Sequence, residues 1–210
     1  MTKKLLMIGV AAVLVASTAI AQNGRVAYSA TKLTAGDSGT TEVFIPAGAG
    51  VPFADSFNYS SPTGAAVTLT LYRPDICTHA QSAVDGDTNV LVFVDSTTTN
   101  LQGYTITTSD YLVFPASGSS NATLAKIDTI TTTGVGTNGY IKITCATPFT
   151  VASNGVVCVA KNGNNQSIGV GTTATVGNPG AWVGYDRCPV VISVPSNSGA
   201  FVLSGVASYW

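Results

Sequence analysis

The chain contains one histidine, His79, and one glutamate, Glu42. Nucleophilic catalysis of the Ser-His-Asp or Cys-His kind would therefore have to pass through His79. Cys77-Thr78-His79 brings a thiol close in sequence, but no serine stands in a nucleophile-elbow motif. His79 reads as a hydrogen-bonded loop residue. The nine aspartates are scattered. Glycosidase chemistry needs two carboxyl groups flanking a sugar cleft, and an aromatic content of 8% is low for such a cleft. No catalytic residue is assigned, no cofactor is expected, and the chain is not read as an enzyme.

One metal candidate remains. Asp85-Gly86-Asp87-Thr88-Asn89 sets side-chain oxygens at alternate positions, like the opening of a calcium loop. Val90 stands where that loop needs glycine, and Ser96 where it needs a bidentate glutamate. The plainer reading of Asp85, Asp87 and Asn89 is an Asx-stabilised turn into the next strand.

Four cysteines, Cys77, Cys145, Cys158 and Cys188, allow three pairings. No Cys-x-x-Cys spacing suggests zinc. Cys77 and Cys188 lie in proline-containing polar stretches and are the preferred disulfide pair. Cys145 and Cys158 lie in strand-like runs. Asn154-Gly155 is the strongest hairpin signal, because both residues tolerate positive φ. A two-residue turn there sets Val151 opposite Cys158, a register that keeps Cys145 away from Cys158. Those two cysteines are read as buried thiols, or as a pair only if the fold departs from that hairpin.

Trp182 and Tyr185 close a long glycine-punctuated loop, residues 161–184. Exposed, they would stack on a sugar or dock a partner; buried, they would plug the end of a sheet. They are the candidate ligand or partner contacts. No glycine-rich loop precedes a helix, so phosphate binding has no support.

The elements that must hold these residues read as strands. Short apolar or alternating runs recur between Gly, Pro, Ser and Asn: Glu42–Ile45, Ala66–Tyr72, Val90–Val94, Tyr104–Thr107, Tyr111–Phe114, Leu124–Thr131, Tyr140–Cys145, Val156–Ala160, Val190–Val194 and Phe201–Val206. Within Ala66–Tyr72, Val67, Leu69 and Leu71 alternate with Thr68, Thr70 and Tyr72, giving one buried face and one wetter face. Val90–Val94 is continuously apolar, as in a strand covered on both sides. The best short helix is Ile76–Val84. The expected fold is all-β, a β-sandwich or jelly roll of about ten short strands with little helix. Residues 22–210 are read as a single β domain, with any division into two lobes falling near residues 95–102.

Composition narrows the compartment and the partners. Charged residues make up 9% of the 210, and 9 basic residues balance 10 acidic ones. A surface that neutralises nucleic-acid phosphates needs clustered basic charge, so nucleic acid is excluded as a partner. At the N-terminus, Lys3 and Lys4 precede an apolar stretch, Leu5 to Val15, and Ala19-Ile20-Ala21 has the small-x-small form of a cleavage site. This is the layout of a secretory signal peptide over residues 1–21. If the segment is retained, it is an apolar arm and the only expected membrane contact. Export favours oxidised cysteines.

Asp110-Tyr111-Leu112-Val113-Phe114, Lys126-Ile127-Asp128-Thr129-Ile130, Tyr140-Ile141-Lys142-Ile143-Thr144 and the stretch from Phe149 to Val157 together resemble the small β modules of bacteriophage virion structural proteins. The resemblance implies a capsid decoration, spike or tail component. The leader departs from that pattern and fits a secreted cell-surface protein. The leading expectation is a non-enzymatic structural protein of an extracellular assembly, contacting copies of itself or a larger protein shell. Two alternatives are a secreted carbohydrate- or ligand-binding module and a small outer-membrane β-barrel. The barrel is suggested by the terminal Trp210 after the apolar run Phe201–Ala207, although its strands would need about 9–11 alternating residues.

Overall fold

The computed structural model describes residues 25–32, 41–45, 52–61, 66–74, 76–95, 99–116, 122–132, 139–170, 173–176, 189–195 and 200–209. The leader, Cys188, Trp182, Tyr185 and Trp210 lie outside these residues. In chain order the strands are β1 (Arg25–Lys32), β2 (Thr41–Ile45), β3 (Pro52–Ser60), β4 (Val67–Tyr72), β5 (Ile76–His79), β6 (Val84–Phe93), β7 (Asn100–Leu101) and β8 (Tyr104–Thr105). They continue with β9 (Tyr111–Phe114), β10 (Thr123–Thr131), β11 (Tyr140–Val151), β12 (Val156–Ala160), β13 (Gln166–Val170), β14 (Thr173–Val176), β15 (Val190–Val194) and β16 (Phe201–Tyr209). The fold is all-β; the helical content of the described residues is one 3-10 turn, Asn162–Asn164.

Nine of the ten expected runs lie in a strand, wholly or in large part, and of Tyr104–Thr107 only Tyr104–Thr105 does. Six further strands join them. Ile76–Val84 is not a helix: Ile76–His79 forms β5, and Val84 opens β6. The long loop expected over residues 161–184 contains the 3-10 turn, β13 and β14.

All pairings between the described strands are antiparallel. Sheet order β1-β16-β3-β14 defines an outer sheet, and β13-β4-β15-β2 a middle sheet. Their facing sides share one core, with Phe57 and Tyr59 of β3 and Phe201 and Leu203 of β16 packed against Leu69 and Leu71 of β4 and Val190, Ile192 and Val194 of β15. The alternation read in β4 holds: Val67, Leu69 and Leu71 are buried while Thr68 is exposed.

The third sheet runs β5-β12-β9-β10-β11-β6 and curls until its outer strands meet. Ala80 bridges Val92, the Gln81 amide donates to the Leu91 carbonyl at 2.8 Å, and the Thr78 hydroxyl donates to the Phe93 carbonyl at 2.6 Å. The curl wraps a second core that includes Leu112, Phe114, Ile127, Ile141, Ile143 and Val159. Phe114 and Phe149 lie stacked inside it, ring centroids 4.0 Å apart and planes 6° apart.

A third, smaller core joins the curled sheet to the middle one. Val113, Cys158 and Ala160 of the curled sheet meet Tyr72 and Val191 of the middle sheet. This explains β15, whose five residues are all buried: Val190, Ile192 and Val194 face one core and Val191 faces another. A strand between two layers has no wet side, hence a sequence that is apolar but for the buried Ser193. Val90–Val94 was expected to share that property, but it alternates. Val90, Val92 and Val94 are buried, whereas Leu91 and Phe93 are half-buried.

The core residues group the strands in two sets, with the chain passing from one to the other between β4 and β5 and between β12 and β13. The curled unit spans β5 to β12 and is inserted between β4 and β13, which pair with each other as Leu69↔Ile168 and Leu71↔Gln166. The polar stretch near 95–102 lies inside the inserted unit, with Val94 and Leu101 in the same core. There Gln102 (φ 51°) and Gly103 (φ 78°) form the tight turn of the two-residue hairpin β7–β8. Two successive positive φ values are what such a hairpin requires.

The Asn154-Gly155 hairpin takes a different form. Asn154 has φ 55°, but β11 and β12 do not pair. The Gly155 amide closes a turn on the Ala152 carbonyl, and the turn docks on β5's end. The Ala80 amide donates to the Gly155 carbonyl at 2.9 Å, and the Asn154 amide donates to the Ala80 carbonyl at 3.0 Å. The chain thus crosses the mouth of the curled sheet instead of folding back. The long-range partners β9 and β5 outcompete the local hairpin for the edges of β12.

Candidate functional site

His79 ends β5 at the seam where the curled sheet closes. Its ring stacks on Phe93 of β6 at 5.1 Å and meets Tyr140 of β11 edge-on at 5.8 Å. Its Nε2 is 3.0 Å from the Tyr140 hydroxyl. The imidazole is therefore fixed on a strand, not in a loop as expected, and it fastens three strands. Cys77, two residues earlier, lies on the same face of β5 as His79, because side chains alternate with a period of two.

Asp85, Asp87 and Asn89 occupy the irregular first half of β6, where Gly86 takes φ +66° and the pairing to β11 shifts register. Asp87 Oδ1 accepts from the Thr88 amide at 2.5 Å, the Asn89 amide at 3.3 Å and Asn89 Nδ2 at 3.1 Å. Those bonds, led by the Thr88 amide, hold its carboxyl below the ordinary aspartate range. The Thr150 hydroxyl donates to Asp85 Oδ1 at 3.2 Å, and the Thr144 hydroxyl donates to Asn89 Oδ1 at 2.8 Å. The alternating oxygens face donors of their own turn and of β11. Among the described residues, no three His, Cys, Asp or Glu side chains converge as a metal site.

Cys77 sits on β5, not in a loop. Cys188 lies outside the described residues, and the preferred Cys77–Cys188 pairing lies outside them with it. Cys145 is buried in the core of the curled sheet, and burial alone pushes its thiol up to about 12. Cys158 lies on the other face of that sheet. The separation of Cys145 from Cys158 holds, but through opposite faces of the sheet and not through a hairpin register.

Sequence reasoning did not single out a buried carboxylate that accepts four hydrogen bonds. Asp110 is fully buried. Its Oδ1 accepts from the Tyr104 hydroxyl at 2.8 Å and the Asn162 amide at 3.0 Å. Its Oδ2 accepts from the Thr107 amide at 2.8 Å and the Thr107 hydroxyl at 3.1 Å. One side chain thereby ties the β8–β9 connection to the 3-10 turn after β12. The available signal was an aspartate three residues after a threonine, the spacing of a side-chain-capped turn. Around it, Lys161 lies over the Tyr104 ring at 4.8 Å, and Lys126 over the Tyr111 ring at 5.0 Å while donating to the Thr108 carbonyl.

The junction between the units holds a second polar group. Tyr72 and Tyr111 rings meet at 4.6 Å. Burial, then the neighbouring Tyr111, pushes the Tyr72 phenol up. Glu42, half-buried on β2, has its carboxyl raised by burial. No described helix is long and apolar enough to cross a membrane.

Comparison with family models, with curated proteins and with solved structures finds no match to this chain.

Proposed function

We propose that the chain is a non-enzymatic structural component of an extracellular assembly, a virion decoration or a cell-surface protein exported through its N-terminal leader. The observation that carries this reading is how the chemically capable side chains are engaged. His79 is clasped by Phe93 and Tyr140, Asp110 is surrounded by four donors, and Asp87 is bonded within its own turn. An acid, base or nucleophile needs a free atom facing a substrate. Here the His79 ring and the Asp110 carboxylate are engaged by the fold, and Asp87 Oδ1 is taken up by its own turn.

Two further features support it. The curled sheet is filled by aliphatic and aromatic side chains, the filling of a packed core and not of the polar lumen of a membrane barrel. On the outer sheet, Val202 and Val206 share one face of β16 and are 44% and 38% exposed. With few charges to repel a neighbour, such a face suits contact with copies of the chain or with a shell.

The test is the composition of purified virions and intact cell envelopes, joined to light scattering of the isolated protein after size exclusion. The expected result is a fixed stoichiometry in one of those particles or self-association in solution. A strictly monomeric protein absent from both would overturn the proposal.

A further inference from the structure

Asparagine followed by glycine occurs at Asn23-Gly24, Asn138-Gly139, Asn154-Gly155 and Asn162-Gly163. In such a pair the asparagine side chain is open to attack by the next backbone nitrogen, because glycine sets no Cβ beside that nitrogen. Asn23, Gly24 and Asn138 lie outside the described residues. The other two pairs are described in full, and the fold treats them in opposite ways.

Asn154-Gly155 is locked. The Gly155 amide, which would have to attack, donates to the Ala152 carbonyl at 2.9 Å. The Asn154 amide donates to the Ala80 carbonyl at 3.0 Å, and the Ala80 amide donates back to the Gly155 carbonyl at 2.9 Å. The space is closed as well: a Cβ on Gly155 would lie 2.8 Å from the Ala152 carbonyl oxygen and 2.8 Å from Val151 Cγ2. The nitrogen cannot swing toward the side chain without giving up these bonds.

Asn162-Gly163 opens the 3-10 turn after β12, and both residues are exposed. The first amides of a helical turn have no partner within it. The bonds of this turn begin with the next residue: the Asn164 amide donates to the Lys161 carbonyl at 3.0 Å and the Asn165 amide to the Asn162 carbonyl at 3.3 Å. Among the described residues nothing accepts the Gly163 amide. No heavy atom lies within 4 Å of where a Gly163 Cβ would stand. Asn162 itself is anchored on its other side, where its amide donates to Asp110 Oδ1 at 3.0 Å.

We propose that Asn162 is a site of spontaneous modification, converted through a succinimide to aspartate and isoaspartate, while Asn154 is protected by the fold. The Gly163 nitrogen gives up its proton and bonds to Asn162 Cγ. The Cγ–Nδ2 bond breaks, and ammonia leaves with that proton. Solvent water then opens the ring. Opening at Cγ gives aspartate; opening at the main-chain carbonyl carbon gives isoaspartate, with the chain running through Cβ. The step consumes one water, releases one ammonia and needs no oxidant or reductant. Both products put a carboxylate on the residue tied to Asp110. In isoaspartate the carbonyl that accepts from the Asn165 amide becomes part of that carboxylate, and the backbone gains a methylene. The turn by which the chain leaves the inserted unit is thereby loosened.

The experiment ages the wild-type full chain at pH 8, samples it over time, and resolves each asparagine peptide into its Asn, Asp and isoAsp forms by chromatography and mass spectrometry. Conversion at Asn162 should outpace conversion at Asn154 by about tenfold or more, the factor set by one or two backbone hydrogen bonds. In guanidinium the two should convert at similar rates, because only the fold distinguishes them. Equal rates in the folded protein, or faster loss of Asn154, overturn the proposal. So does an unchanged Asn162 over a period in which the unfolded chain converts. Gly163→Ala, whose methyl meets nothing in the fold, should slow conversion of Asn162 without lowering the melting temperature; unslowed conversion would overturn attack by the Gly163 nitrogen. Hydrogen exchange of aged against fresh protein reads the consequence: the amides of residues 163–165 should exchange faster after ageing, and unchanged exchange would overturn the loosening.

Discussion

Removing the Asp110 carboxylate should be among the most damaging single changes to this fold. In Asp110→Ala, the amides of Thr107 and Asn162 lose an acceptor, and the Tyr104 and Thr107 hydroxyls lose theirs. Each buried donor left unpaired costs about 1–3 kcal/mol. The two hydroxyls can rotate toward other acceptors, whereas the two amides are fixed by the backbone. The amides alone therefore set about 2–6 kcal/mol. Part is recovered because a charge no longer has to be kept out of water, which leaves about 3–4 kcal/mol as the expected loss. Asp110→Asn keeps one acceptor oxygen but turns an amide NH2 toward donors, so about half that loss is expected. Urea unfolding followed by circular dichroism measures both variants. At a slope of about 2 kcal/mol per molar, the alanine midpoint should fall by about 1.5–2 M and the asparagine midpoint by about half as much. Losses below about 1 kcal/mol in both variants would refute the view that this carboxylate pins the β8–β9 connection to the turn after β12.

Other parts of the structure give independent expectations. Burial raises the Glu42 carboxyl above its ordinary value of 4.5, so the charged form weakens the fold. Glu42→Gln should stabilise the protein at pH above the raised folded value, and the advantage should vanish as pH falls through 4.5; melting temperatures across that range check the sign. Cys145, buried and with its thiol at about 12, should resist Ellman's reagent in the folded protein at pH 8 and react fully in guanidinium. Phe114→Ala removes one of two stacked rings from the inserted core and should cost about 3–5 kcal/mol, read by denaturant unfolding. Gly139→Ala places a Cβ 3.0 Å from the Val94 carbonyl at φ +75°; a clear fall in melting temperature is expected, and none would contradict the close approach.

The strand inventory was legible where side chains alternate against water. β4 and the first half of β11 are examples, with Leu69 or Ile143 marking a buried face. The strands that escaped notice have sequences that look like turns. β3 begins at a proline and carries Asp55 and Asn58, and β13 contains Gly169. Their pairing comes from partners far along the chain, a force that local propensity does not express. The same competition explains Asn154-Gly155: the turn residues were read correctly, but β9 and β5 claim the strand that follows. The nesting of one unit inside another left no mark in composition, because both units draw on the same Val, Thr and Ser vocabulary. At the level of sites, the Asp85–Asn89 turn was visible from its spacing. Asp110 was not, because its importance depends on Tyr104 and Asn162, which approach only once β9 and β12 pair.

β1 and β16, the first and last of the described strands, are neighbours. β1 pairs with β16 along its whole length, from Arg25↔Ser208 to Lys32↔Phe201. Synthesis runs from the N- to the C-terminal side, so the outer sheet cannot close until β16 has been made. The inserted unit, whose strand partners all fall between Ile76 and Ala160, meets no such delay. Pairing so distant in sequence is slow to form. The order of synthesis thus favours assembly from the inserted unit outward, with β1 left waiting for its mate.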